Sequence, residues 1–245
     1  MPEPTTTENF ADALKRLRAF KDEHNYVALA GEAATFQMAV VTDDGFCGLW
    51  EFEASPWVLG LGAYQPFFIP TLIKQASTSE ARVTIPRAWT QVALAKRSEW
   101  NFFLITSRTA PRAPNRYAVD ELTSDIEINS FIDRCAPDSS TRPGEREILF
   151  WHGIRGDEGE LLAIGGAVRW KSGATMVVSI ATDPIARGKL MAQEVTASLV
   201  KRLFDLGEAV VGLGVWAHNA PAIRAYEHVG FQLQEEFVSG PLLLP

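Results

Sequence analysis

The run MVVSIATD is apolar and β-rich, it stops at Pro184, and the next periodic segment opens near Leu190. Strand, turn and helix must follow in that order, with Leu190, Val195, Leu199 and Leu203 near one helix face and Met191 and Ala192 in the first turn. The turn Ile185 to Lys189 then aims the unpaired N–H groups of a helix N-terminus past the strand end. Such an end carries roughly half a positive charge and attracts phosphates. Arg187 and Lys189 add formal charge, and Gly188 lets the backbone approach closely.

A second motif, NAPAIRAYEHVGF, follows the apolar run AVVGLGVW. Asn219 suits a helix N-cap, Pro221 a first turn and Gly230 a helix stop. Tyr226 lies seven residues beyond Asn219, and at about 100° per residue the two return to nearly one side and can face one ligand.

With these residues in place the chain resembles the GCN5-related N-acetyltransferases (GNAT), in particular their FR47-like branch, over roughly its second half. The family signature is a strand ending T-x-P, then R-x-x-G-x-G/A opening a helix that holds the pyrophosphate of acetyl-CoA. Thr182, Pro184, Arg187 and Ala192 match it, whereas Leu190 stands where the family has its central glycine. The resemblance implies that Ile180, Ala181, Thr182, Arg187, Gly188, Lys189, Leu190, Met191, Ala192 and Asn219 line acetyl-CoA as co-substrate. It implies that Tyr226 protonates the departing thiolate, and that backbone N–H groups near Ile180 to Thr182, splayed at a strand bulge, polarise the thioester carbonyl. The acceptor is then a small-molecule amine or a peptide N-terminus, attacking directly in a ternary complex. No metal is implied.

Each residue also has a plainer reading. Tyr226 alone is a half-buried packing residue, Asn219 a cap, and Arg187 with Lys189 a solvated loop. GLGVWA, residues 212 to 217, fits G-x-G-x-x-A, with Glu235 or Glu236 roughly 20 residues on as a dinucleotide fold asks. The helix start, however, falls several residues too late for that motif. No carboxylate lies in Thr175 to Thr182, so the general base is not legible; His152, His218 or a water chain are open choices. A catalytically silent CoA-binding regulator and a dinucleotide-dependent enzyme are the alternatives to an acetyltransferase.

At 245 residues with 47% hydrophobic and 22% charged residues, the chain has the composition of a globular protein of one large or two small domains. A net charge of −7 argues against nucleic-acid and anionic-membrane partners. MPEPTTTENF has neither the basic lead nor the apolar core of a secretory signal, and no run of about 18 apolar residues occurs. Cys47 and Cys135 have no metal or redox spacing and read as reduced thiols, which suits a cytoplasmic protein.

The segment TAPRAPNR, Thr109 to Arg116, reads as a linker, dividing the chain into 1–115 and 116–245. The expected fold class is α/β, a mixed-sheet acyl-CoA N-acyltransferase fold with an added N-terminal α/β domain that can be a degenerate GNAT half. Downstream, VDELTSDIEINSFIDRC reads as a helix with Leu122, Ile126 and Phe131 inward, PDSSTRPGE as a loop, and the rest completes the order αβββαβαβ. Upstream, a helix at Phe10, Leu14, Leu17 and Phe20 precedes a hairpin, ATFQMAVV to FCGLWEFE, about an aspartate-glycine turn. PFFIPTLIKQAS and PRAWTQVALAKRS read as helices, EARVTIP and WNFFLIT as strands. The first half has no T-x-P-x-x-R turn, which argues against a CoA site there. Trp50, Trp57, Trp89 and Trp100 suit core packing better than an acceptor wall.

Overall fold

In a computed structural model the described residues are 4–32, 34–52, 54–76, 81–139, 141–144 and 147–243. They pack as two compact units. One comprises the chain to Phe102, Trp216–His218 and the chain from Gln234 onward; the other comprises Phe103–Val215 and Asn219–Leu233. The strand Ser98–Thr106 has residues in both units, Phe102 in the first and Phe103 in the second.

The first unit runs β1 (Thr5–Thr7), α1 (Phe10–Leu17), α2 (Tyr26–Ala30), β2 (Phe36–Val41), β3 (Gly45–Phe52), β4 (Ser55–Gly62), α3 (Phe68–Ala76) and β5 (Arg82–Pro86). Asn9 caps α1 by accepting from the Asp12 N–H, and Ala13 and Leu17 face inward. Pro70 falls in the first turn of α3, where a missing N–H costs no helical bond, and Phe68, Ile69 and Leu72 turn into the core. The strand order is β1-β2-β3-β4-β5, completed by the last strand of the chain, Gln232–Pro241.

The second unit runs from the end of β6 (Ser98–Thr106) through β7 (Asp120–Leu122), α4 (Asp125–Cys135), β8 (Ile148–Arg155), β9 (Leu161–Arg169), β10 (Thr175–Thr182), α5 (Met191–Asp205), β11 (Val210–Trp216) and α6 (Ala220–Val229), before β12 (Gln232–Pro241). Its strands lie in the order β7-β8-β9-β10-β11-β6. Val195, Leu199 and Leu203 of α5 are fully buried against Ala163, Ala167 and Val177 of the sheet.

Several readings of the sequence need correction. Residues 120–122 pair with β8 instead of opening a helix, and α4 starts only after the Ser124 cap. Ile126 is 86% exposed, since a start at Asp125 turns Ile128, Phe131 and Ile132 inward instead. PRAWTQVALAKRS is not helical, because its backbone bonds elsewhere: Arg87 N–H to Glu236 O at 2.7 Å, Ala95 N–H to Pro241 O at 2.9 Å. Strand β4 and helix α2 form although the sequence carries no clear pattern for either. GLGVWA lies within and just after β11 and opens no helix, removing the dinucleotide reading. Ser77 of the PFFIPTLIKQAS reading, Glu80 of EARVTIP, and Ser140 and Glu145 of the loop lie outside the described residues.

Candidate active site

Strands β10 and β11 run parallel, yet they pair only at Thr175↔Val211 and Met176↔Gly212. Beyond Met176 the rest of β10 leaves β11 and stays paired with β9 alone, opening a wedge between two parallel strands. A bulge between Val178 and Ala181 bends β10 at this point. Ser179 sits in it at φ 53°, a left-handed conformation unusual for a residue with a side chain. Its hydroxyl donates to Thr141 O at 2.7 Å and lies 2.6 Å from the Ser139 hydroxyl, so the segment after α4 fixes the bulge. The Asp183 N–H donates to Leu162 O at 2.8 Å on the β9 side. Backbone alternation turns the Thr182 N–H to the opposite edge, toward the wedge. Ala181 and Thr182 pair with Ile164 and Ala163, while Ile180 lies in the bulge with its side chain over Gly165.

The turn after β10 is a short 3₁₀ segment, Pro184–Ala186, capped by Asp183, whose carboxylate accepts from Ile185 N–H at 3.1 Å. Gly188 at φ 77° and Leu190 at φ 66° then bend the chain left-handedly into α5. Among the described residues no hydrogen bond is donated by the backbone N–H of Gly188, Lys189, Leu190, Met191 or Ala192. These are the orphan donors of a helix start, gathered at its positive end. Arg187 and Lys189 are exposed and form no ion pair among the described residues. Leu190 is 37% exposed, so its side chain does little to fix α5 to the sheet.

Asn219 caps α6, its Oδ1 accepting from Ala222 N–H at 3.3 Å, and is itself exposed. Tyr226 is buried in the second unit's core with its ring edge-on to Phe231 at 6.2 Å. The two therefore differ in burial although they are seven residues apart. Asn219 stands outside the helix, at φ −85° and ψ 63°, and the helical rotation does not start from it. The Tyr226 hydroxyl makes no hydrogen bond to the described residues, and it is absent from their sealed, unpartnered polar atoms. Burial pushes this phenol above its ordinary value, so it stays protonated throughout the physiological range.

Residues 116–231 match the model of the Acetyltransferase (GNAT) family. This segment is a GNAT domain. Solved structures with the same fold cover nearly all of the chain as well as the domain. A GCN5-related N-acetyltransferase from Sphaerobacter thermophilus is 12% identical, covers 99% of this chain with 96% of its own, and superposes with TM-score 0.61. A putative acetyltransferase of the GNAT family from Novosphingobium aromaticivorans is 20% identical over 75% of this chain and 83% of its own, TM-score 0.52. A tandem GNAT protein from the clavulanic acid biosynthesis pathway is 10% identical over 99% of both chains, TM-score 0.51. Comparison with curated proteins gives no match. No helix among the described residues is long and apolar enough to cross a membrane.

Around the GNAT wedge the structure adds residues that sequence reasoning did not find. Glu194, in the first turn of α5, is 3% exposed and accepts from the Arg116 backbone N–H at 2.5 Å. It anchors to the helix start a segment that reads in sequence only as a linker. Asp183 follows β10 but is not a free base. The Ile185 N–H and the Arg134 guanidinium at 3.0 Å hold its carboxyl below the usual range. His152 is buried under α5, with Nδ1 3.0 Å from the Ser198 hydroxyl and its ring 5.0 Å from Phe150. Burial lowers its pKa, and its place between β8 and the middle of α5 is that of a packing residue. Ser139, Ser179 and Glu194 carry no local sequence signal, since each acts through a partner distant in the chain.

Proposed function

We propose that the GNAT domain binds acetyl-CoA and transfers its acetyl group to an amine acceptor by direct attack in a ternary complex. The observation that carries this reading is the wedge between β10 and β11, with an unsatisfied helix start immediately beyond it. The pyrophosphate lies on the N–H groups of Gly188 to Ala192, with Arg187 and Lys189 supplying charge-assisted contacts. The pantetheine arm runs into the wedge past Asn219. N–H groups at Ile180 and Thr182 polarise the thioester carbonyl, and negative charge grows on that oxygen as the amine attacks. The C–S bond then breaks and Tyr226, a neutral phenol, donates its proton to the departing thiolate, while the proton shed by the acylated nitrogen passes to solvent, from which Tyr226 is reprotonated. The placement of Asn219 and Tyr226 in this path follows the family resemblance.

Free-thiol release from acetyl-CoA across amino acids, polyamines, aminoglycosides and peptide N-termini tests the reading. Acceptor-dependent release supports transfer. Tight acetyl-CoA binding without release on any acceptor favours a silent CoA-binding regulator, and no acetyl-CoA binding rejects both.

A further inference from the structure

Apart from the extra short helix α2 in the first, the two units repeat one order of elements: an edge strand, a helix, three strands joined in sequence, a helix and a parallel strand. Each is completed by the strand that follows the other's run, β12 beside β5 in the first unit and β6 beside β11 in the second. By this correspondence β4, α3 and β5 are the counterparts of β10, α5 and β11. Strands β4 and β5 also run parallel and also part company, pairing at Trp57↔Arg82, Val58↔Val83 and Leu59↔Thr84 but not at Gly60 to Gly62.

Here the opening is filled. The Trp89 indole is 1% exposed, and its Nε1–H donates to Gly62 O at 2.8 Å. It lies so close over β4 that a Cβ on Gly60 would sit 2.5 Å from the Trp89 ring. Tyr64 and Phe68, at the start of α3, pack on the ring at 5.4 Å and 5.8 Å. The turn into α3, residues 63–67, has no Arg or Lys. The Ala63 N–H is spent on Asp44 O and the Phe68 N–H on Gln65 O, at 2.8 Å and 3.1 Å, and Pro70 has none.

We propose that the first unit is a second copy of the acyl-CoA fold whose wedge is occupied by the chain's own Trp89, leaving one acyl-CoA site per chain. This rests on the acetyl-CoA reading of the second unit. A planar apolar group with one hydrogen-bond donor takes the place of a thioester arm, and the turn into α3 brings no cationic side chain to a nucleotide's phosphates.

Calorimetric titration of the whole chain with acetyl-CoA tests it. One equivalent per chain is expected. Two equivalents overturn the proposal, whereas none overturns the acetyl-CoA reading instead. A second measurement addresses the plug itself. In Trp89→Ala the vacated seat should bind added indole, raising the melting temperature of the variant and leaving wild type unchanged, with acetyl-CoA affinity retained. A folded variant that indole does not stabilise would show that Trp89 fills no discrete site. If that variant does not fold, the wild-type stoichiometry decides alone.

Discussion

At residue scale, Leu190 of the GNAT domain is held under backbone constraint. Leu190 adopts φ 66° in the turn where the family signature has glycine, a conformation that costs a residue with a Cβ about 1–2 kcal/mol. Its side chain is partly solvated and supplies little packing in return. Leu190→Gly should therefore raise stability by up to about 1 kcal/mol, roughly 2–4 °C in melting temperature, and keep or improve CoA affinity. Weaker CoA binding in an unaltered fold would count against crowding at the turn. Tyr226→Phe keeps the ring in its core contacts and removes only the hydroxyl. Single-turnover acetyl transfer should fall about 10²-fold to 10⁴-fold with little change in acetyl-CoA affinity. Wild-type rates in that variant would remove Tyr226 from the mechanism. His152 gives a third test. Its folded pKa lies below the unfolded value of about 6.5, through burial first, with Arg202 lowering it further and Glu121 opposing. Below about pH 6.5 the unfolded chain takes up the proton first, so stability falls with pH until the folded pKa is passed. Urea midpoints at neutral and mildly acid pH should converge in His152→Gln relative to wild type. An unchanged acid slope would place the loss elsewhere.

At element scale, the bulge in β10 and the seat of α5 are one construction. A Cβ on Gly165 of β9 would lie 2.2 Å from Ile180 Cδ1 and 3.0 Å from both Leu199 Cδ1 and Val195 Cγ1. Gly165→Ala should cost about 1–3 kcal/mol and weaken acetyl-CoA binding, because it pushes the bulge and the helix start apart. Removing the colliding methyl in Gly165→Ala/Ile180→Val should recover part of the loss, and additive effects in that double mutant would show the two sites to be uncoupled. Such couplings explain what sequence could and could not supply. The turn Thr182 to Ala192 and the cap and stop of α6 were legible because helix starts and ends are written in local chemistry: proline, glycine, asparagine and charge. The same holds for the β2–β3 hairpin. Strand β4, beginning Ser55-Pro56 and carrying Gly60 and Gly62, has no alternation to betray it, and Arg87 to Ala95 looks helical because its partners are near residue 240. Ser179 in the bulge and Glu194 under Arg116 depend on contacts that no window of sequence contains.

At the scale of the whole molecule, the described residues pack as two compact units with similar element orders. The GNAT family model matches residues 116–231, the part of the chain that carries the turn into α5. The proposed pyrophosphate site is the turn into α5. Titration of wild type and Arg187→Ala with acetyl-CoA measures it directly, since one charge-assisted contact is worth about 1.5–3 kcal/mol. Arg187→Ala should bind roughly 10-fold to 150-fold more weakly with an unchanged melting temperature; equal affinity in the two proteins would place the pyrophosphate somewhere other than the start of α5.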